Sequence, residues 1–331
     1  MTAAGGVTVI VPNWNRRDLL ASLLEGLRRQ SSPVAEILVV DNGSSDGSVE
    51  MAERSGARVL AMGRNAGFSA AVNRGIRECR SGWLAVVNND VAPAPDWLER
   101  LLEAAQHPRV WFATGKLLSQ SRRDTLDGTF DALSRGGCAW RAGHNRPDAP
   151  LWNRLRGIRF APFTATLFRA ALFERAGLLD ERFESYLEDV DFCLRCARLG
   201  LWGLYVPAAV ATHAGSATLG PWHRETVRLI SRNQLLLVAK HYPGRWLARC
   251  AWPILVGQML WGLVALRHGR GLAFLRGKLE GLRRFRTMRD PMPVEVVATI
   301  LQRSEAEIFA LQRRVGFDLY WRLYFLLTWL R

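Results

Sequence analysis

Residues 83–90 read WLAVVNND. Mostly apolar, good strand-forming residues run straight into two asparagines and an aspartate. A buried strand does not usually end on three adjacent polar side chains unless something beyond it needs them. On either side the same grammar repeats. VTVIVP (7–12) and EILVVDN (36–42) read as buried strands, ARVLAM (57–62) and VWFATGKLL (110–118) as two more. Between them lie helical periodicities at 18–30, with Leu19, Leu20, Leu23, Leu24 and Leu27 on one face, and at 66–79 and 96–106. Strand and helix alternating over short links predict a doubly wound, mostly parallel α/β sheet. In such sheets a ligand sits beyond the carboxyl ends of the strands, at the topological switch point.

The residues at those ends are Pro12, Asn13, Trp14 and Asn15, then Asp41 and Asn42, then Arg64 and Asn65, and last Asn88, Asn89 and Asp90. Polar loops explain one or two such endings but not four in succession, which predicts a shared ligand site. The turn after the first strand, PNWNRRDL, has no glycine, so a G-x-G-x-x-G dinucleotide fingerprint is excluded, and no G-x-x-x-x-G-K-[ST] occurs. Without a glycine loop, negative charge on a ligand needs another neutraliser. A divalent cation (Mg2+ or Mn2+) held by Asp90 supplies one, because hard cations take oxygen ligands and bridge phosphate oxygens.

The chain of 331 residues is long enough for one large domain or two ordinary ones, and its composition is globular. Its net charge is +15, and all but three of its 45 basic residues are arginine. The charge is uneven: residues 241–331 carry 15 Arg or Lys against 6 Asp or Glu, or +9, while residues 1–240 carry 30 against 24, or +6. Five cysteines, an odd number in a long chain, predict reduced thiols in the cytosol, and Cys193 and Cys196 have no second pair at zinc-finger spacing. The opening MTAAGGVTVIVP has no charged n-region, which predicts that it is no signal peptide.

Several longer stretches carry a family resemblance. VTVIVPNWNRRDLLASLLEGLRRQ, EILVVDNGSSDGS, RNAGFSAAVNRGI and VNNDV resemble the nucleotide-binding half of family 2 glycosyltransferases, with their GT-A fold. FERAGLLDERFESYLEDVDFCLRCARLG and YVPAAVATHAGSAT are similar to the acceptor half of the rhamnosyltransferase-like branch, so that the likeness covers roughly residues 5–240. The resemblance implies that Pro12, Asn13 and Trp14 lie beside the nucleobase and that Asp41 accepts from the base's imide N–H. An Asx-turn into NGSS is an equally good reason for an aspartate at 41. Arg64 and Asn65 would lie along the nucleotide, with Asn73 helping to fix them. The family's Asp-x-Asp metal motif corresponds to Asn88-Asn89-Asp90, where only Asp90 is acidic, so Asn89 suits a ribose hydroxyl better than a metal.

The helix expected from about Leu187 opens with Glu188, Asp189 and Asp191. Acidic residues suit a helix N-terminus because they complement the macrodipole. Sugar transfer with inversion also needs a carboxylate to take the acceptor hydroxyl's proton. The family places its base in the Glu-Asp pair, which implies Asp189, with Glu188 and Asp191 orienting the acceptor or holding Arg195 and Arg198. By the same resemblance His213, closing its strand, completes the metal site, as a neutral imidazole suits a borderline ion.

These readings predict a GT-A catalytic domain over 1–242, made of a nucleotide-binding half (1–118), a loop-rich insert (119–157) that resembles a sugar-pocket loop, and an acceptor half (158–242). A helical, basic, Trp-rich region follows (243–331). There 250–266 is 17 uncharged residues flanked on both sides by arginine, which predicts an interfacial or re-entrant helix with Trp246, Trp252 and Trp261 at headgroup depth. A helical hairpin packed on the catalytic domain or on a second subunit of a homo-oligomer is the alternative. The whole predicts a metal-dependent, inverting glycosyltransferase, peripheral at the cytoplasmic face of an anionic membrane. Its expected donor is a nucleotide-diphosphate sugar, dTDP-rhamnose first on resemblance. Its expected acceptor is a glycan or lipid-linked hydroxyl. The rival, a basic nucleic-acid-binding protein, is disfavoured because no nucleic-acid motif is present and the charge sits on an apolar tail.

Overall fold

A computed structural model describes residues 6–122, 124–215 and 222–329. The chain forms two compact units, Met1–Phe130 with Gly143–Thr218, and Asp131–Ala142 with Leu219–Arg331. Its elements in chain order begin with β1 (Val7–Asn13), α1 (Arg17–Arg28), β2 (Glu36–Asp41), α2 (Ser48–Arg54), β3 (Arg58–Ala61) and α3 (Phe68–Glu78). β4 (Trp83–Val87), β5 (Val91–Pro93), α4 (Trp97–Ala105), β6 (Val110–Ser119) and β7 (Leu126–Gly128) follow. Next come β8 (Asp131–Leu133), β9 (Ala139–Arg141), β10 (Arg156–Ile158), β11 (Ala165–Arg169), α5 (Ala171–Ala176), α6 (Glu188–Arg198) and β12 (Trp202–His213). The last elements are α7 (Arg224–His241), α8 (Gly244–Arg249), α9 (Ala251–Arg267), α10 (Gly271–Arg284), α11 (Val294–Val315) and α12 (Leu319–Trp329).

The first unit is built on a ten-stranded sheet in the order β10-β12-β6-β11-β4-β1-β2-β3, with β5 on β12 and β7 on β6. β3, β2, β1 and β4 run parallel, and the connections leave β1 toward β2 and β3 and then return to β4 on its other side. That reversal is the switch point at which a doubly wound sheet opens a crevice. Every residue of β1 is buried, as expected for a central strand covered on both faces. On α1, Leu20, Leu23, Leu24 and Leu27 are all buried on the sheet, each worth roughly 1.5–3 kcal/mol of apolar burial. α3 rides directly on β1: a Cβ on Gly75 would lie 2.4 Å from Ile10 Cγ2. Residues 110–118 form the expected strand, but it does not continue the parallel series. β11 inserts between β4 and β6, antiparallel to both. The resulting sheet is mixed, the GT-A arrangement.

The insert at 119–157 is less irregular than its composition predicts. β7 pairs with β6, β10 with β12, and β8 with β9 as a separate hairpin. That hairpin belongs to the second unit, as does α7, which the sequence had placed with the acceptor half. The physical reason for α7 is close helix packing. Added Cβ atoms on Gly277 and Gly281 of α10 would meet the carbonyls of Arg228 and Arg232 at 2.2 and 3.0 Å, so the two helices cross at backbone contact. Cys193 and Cys196 are fully enclosed on α6, and burial pushes the Cys196 thiol up to about 12, leaving it inert.

Candidate active site

The strand ends of the first unit converge as a hydrogen-bonded chain. Asn89 Nδ2 donates to Asn13 Oδ1 at 2.8 Å, and Asn13 Nδ2 donates to Asp41 Oδ1 at 3.1 Å, so the ends of β4, β1 and β2 are linked side chain to side chain. Asp41 also accepts from the backbone N–H groups of Gly43 and Ser44 at 3.0 and 2.9 Å and from Ser44 Oγ at 2.5 Å. The Asx-turn is therefore present. Four donors fill the four lone-pair sites of the carboxylate, so a base-reading role requires one of these bonds to be exchanged. Pro12 is buried within the sheet opposite Val40, while Trp14 stands half-buried just beyond it.

The next turn folds onto this one. Gly43 has φ +79°, and a Cβ there would come within 2.9 Å of Arg64 Cα, so only glycine lets the two loops touch. Asn42 binds the backbone on both sides of the turn before α3, accepting from Ala66 N and donating to Gly67 O. Arg64 and Asn65 are exposed beside it. Asn73 lies elsewhere. It is buried, its Nδ2 donates to Leu179 O and Glu181 Oε1, and its Oδ1 accepts from Leu179 N, all at 2.9 Å. Its hydrogen-bonding capacity is used in clamping the 179–181 segment, so the expectation that it fixes Arg64 and Asn65 is corrected.

That segment leads into α6 through a strained turn. Glu184, Tyr186 and Leu187 all have positive φ (61°, 69° and 67°), costly for residues with a Cβ. Ser69 N donates to Glu184 O at 2.9 Å and Phe68 N to Ser185 Oγ at 3.2 Å, which pins the turn to the N-terminus of α3. On the other side, Ala161 N meets Cys193 Sγ at 3.4 Å, and Asn88 N donates to Thr164 O at 2.9 Å. The short stretch 161–164 thus touches both α6 and the end of β4. Of the three acidic residues, Asp191 is fully enclosed and paired with Arg195 Nε at 3.1 Å, and Arg195 in turn holds Leu178 O. Glu188 is buried, and Asp189 is half-buried, its Oδ1 accepting from Val190 N at 2.8 Å.

At the far end of the crevice β12 pairs with β5, putting His213 opposite Val91, and Ala214 N donates to Asp90 O at 3.0 Å. His213 Nε2 stands 3.1 Å from Asp90 Oδ1, and Nδ1 stands 2.8 Å from Asp127 Oδ2. Burial alone would lower the imidazole's pKa, but hydrogen bonds to Asp127 and Asp90 outweigh it and push it up to about 9. Asp127, on β7, was not foreseen. It lies in the insert, whose short strand places it beside the end of β12 by pairing with β6. No local motif marks it; only the run of aspartates in the insert hinted at a role. Among the described residues no group of three His, Cys, Asp or Glu side chains is gathered to hold a metal ion.

The donor set nonetheless fits a divalent ion. The raised pKa of His213 keeps the metal-free imidazole protonated and donating to both carboxylates. A divalent ion would displace the Nε2 proton. With the remaining proton on Nδ1 facing Asp127, the neutral His213 would offer its Nε2 lone pair beside Asp90, the carboxylate–histidine arrangement common behind metal sites. Asn88 Oδ1 is buried nearby in sequence without a hydrogen-bond partner, an orphan acceptor at the strand end where a ligand is expected. Residues 216–218 of the AGSAT stretch lie outside the described residues.

The sequence profile of glycosyl transferase family 2 matches residues 8–175. The chain belongs to this family. Among its curated relatives is the N-acetylglucosaminyl-diphospho-decaprenol L-rhamnosyltransferase of Mycobacterium tuberculosis, 27% identical over 271 residues, covering 74% of this chain and 88% of the relative. The fold is shared with GalNAc-T7, solved with UDP, GalNAc and Mn2+ (TM-score 0.65, 14% identity, 96% of this chain and 59% of the other). It is shared too with the mannosyltransferase PcManGT of Pyrobaculum calidifontis, solved with GDP-Man and Mn2+ (TM-score 0.54, 15% identity, 98% and 87%). The family assignment covers the residues that form the switch point and the strand ends.

Proposed function

We propose that this protein is an inverting glycosyltransferase that moves a sugar from a nucleotide-diphosphate donor to a hydroxyl of a lipid-linked or cell-surface glycan acceptor. Rhamnose carried on dTDP is the proposed donor, supported by the rhamnosyltransferase relative. The observation that carries the reading is the Asp127–His213–Asp90 line at the end of the crevice, set beside the Asp41–Asn13–Asn89 chain. Trp14 offers a ring to the nucleobase, Asn89 serves the ribose, Asn88 offers its unpartnered Oδ1 to the nucleotide sugar, and exposed Arg64 and Asn65 flank the nucleotide. Asp90 and His213 hold the divalent ion, Mg2+ or Mn2+, which when bound neutralises the diphosphate. Two neighbours of this fold were solved with Mn2+ and a nucleotide or nucleotide sugar.

Asp189 takes the proton of the acceptor hydroxyl as its oxygen attacks the anomeric carbon from the face opposite the leaving group. The bond to the donor phosphate breaks, and the electron pair leaves with the nucleoside diphosphate. Glu188 orients the acceptor, and Asp191 positions the helix through Arg195. No described helix is long and apolar enough to cross a membrane. Action at the cytoplasmic face of a membrane is part of the same proposal, supported by the decaprenol-linked substrate in the name of the rhamnosyltransferase relative. A thermal-shift series of nucleotide sugars with and without Mn2+ tests the reading. Stabilisation by a nucleotide-diphosphate sugar should need the metal and vanish in Asp90→Ala, with the unliganded melting point little changed. Equal stabilisation with and without metal would sink the metal-bridged site.

A further inference from the structure

The tryptophans expected at a membrane surface are turned elsewhere. Trp246 is buried, Trp261 donates its indole N–H to Ser231 Oγ at 2.8 Å, and Trp252, only partly exposed, donates to Leu327 O at 2.8 Å. What the second unit exposes instead is leucine. On α9, Leu255, Met259, Leu263 and Leu266 follow at spacings of four, four and three, one face of a helix, and are 49–65% exposed. On α10, Leu272, Leu275, Leu279 and Leu282 repeat the pattern at three, four and three, 55–85% exposed. A groove of about 1360 Å³ lies between these faces, with Gln258 and Lys278 among its lining. α9 is 17 residues, roughly 25 Å long at the rise of an α-helix.

The groove's charge is mostly of one sign. Its lining holds five basic residues, Arg224, Arg228, Arg270, Arg276 and Lys278, against one acidic, Glu225. Arg228 is tied to Glu225 and Glu280, and Arg276 to Glu280. Arg224 and Arg270 are exposed near the turn from α9 to α10. Arg283, Arg284 and Arg286 stand exposed at the other end of α10. Two copies meeting face to face about a two-fold axis would set these arginines against one another. An occupant with a long apolar part and an anionic head avoids that repulsion and matches both features.

We infer that the leucine-walled groove between α9 and α10 is a docking site for an anionic phospholipid leaflet. Hydrocarbon chains enter the groove, and lipid phosphates sit on Arg224, whose planar fork takes phosphate oxygens in pairs, and beside the charge of Arg270, whose Nε donates to Trp222 O at 2.6 Å and Nη1 to Gly269 O at 3.3 Å. The inference locates the membrane contact of the proposed enzyme but rests on neither its donor nor its metal. It also separates two kinds of attachment. Adsorption through charge alone is screened by salt, whereas inserted leucines keep a salt-resistant part.

The test is co-sedimentation of the full chain with phosphatidylcholine vesicles, with and without phosphatidylglycerol. Wild type should bind the anionic vesicles and keep a measurable fraction bound in high salt. Leu263→Gln with Leu275→Gln changes no charge and replaces two exposed side chains, so the fold is kept, as a circular-dichroism melt verifies. That variant should bind about tenfold or more weakly, because two apolar side chains no longer leave water. Arg224→Gln with Arg270→Gln should lose the preference for phosphatidylglycerol while keeping residual binding. Undiminished binding of the leucine variant overturns the inference. So does a wild-type dimer in solution that the leucine variant disperses, which would make a second copy the occupant. Metal-dependent nucleotide-sugar stabilisation, measured on the same preparations, reports on the proposed activity separately.

Discussion

Asp127 offers the sharpest test of the crevice, because its importance follows from geometry alone. Its Oδ2 lies 2.8 Å from His213 Nδ1, and both side chains are largely enclosed. A hydrogen bond to a charged group in such a place is worth about 1.5–3 kcal/mol. Removing the partner behind a metal-bound histidine typically costs 10–100-fold in metal affinity or activity. Those figures agree, since each factor of ten is about 1.4 kcal/mol. Asp127→Asn keeps the shape but removes the charge that holds the proton on Nδ1, and so loses the preference for the tautomer that turns Nε2 toward Asp90. Titration calorimetry of Mn2+ in the presence of a nucleoside diphosphate is the direct assay. We expect metal affinity to fall about 10–100-fold in Asp127→Asn, further in Asp127→Ala, and nucleotide affinity without metal to stay put. If Asp127→Asn binds Mn2+ within twofold of wild type while His213→Ala loses it, the orienting role assigned to Asp127 is wrong.

Asp189→Asn keeps the hydrogen bond from Val190 but cannot take a proton, so turnover should fall by a factor of ~10²–10⁴ with donor affinity unchanged; near-normal turnover there, together with loss in Glu188→Gln, would move the base by one residue. Asn73→Ala leaves the N–H and C=O of Leu179 without their partners and should cost ~1–3 kcal/mol in urea unfolding, and a variant as stable as wild type would show that the 179–181 segment is held otherwise. Burial pushes Lys278 down from 10.5 to about 7, although Ser231 O, Gln234 Oε1 and Gln258 Oε1 accept from its Nζ. A lowered lysine binds fewer protons folded than unfolded, so its penalty is full below pH 7 and disappears as pH rises toward 10.5. Stability measured at pH 7 and 9.5 should therefore rise more in wild type than in Lys278→Met, and parallel curves for the two would contradict the shift.

The positions of the candidate site in the chain were legible as strand ends. An α/β sheet alternates apolar strands with polar exits, and the periodicities that mark β1, β2 and β4 also mark Asn13 and Asp41 as the residues that close their strands and Asn89 as one just past its own. Asp90 and His213 were legible for the same reason, one at each of two strand ends that the fold then pairs through β5 and β12. What local pattern could not show is which strands become neighbours. β11 enters between β4 and β6 because long-range pairing, not periodicity, selects the partner.

The sequence by itself determined the alternation of elements and the row of polar exits, since both are written in short-range spacing, and its longer motifs carried the family resemblance. Only the tertiary structure decided that Asn73 clamps a loop 106 residues away and that Asp127 stands behind His213. It alone decided that the tail exposes rows of leucines while Trp246 is buried and Trp261 is bonded to Ser231. Each of these depends on which side chains from distant segments fill the remaining space and satisfy the remaining hydrogen bonds. That competition is settled by packing over the folded chain and leaves no mark at the spacing of three or four residues.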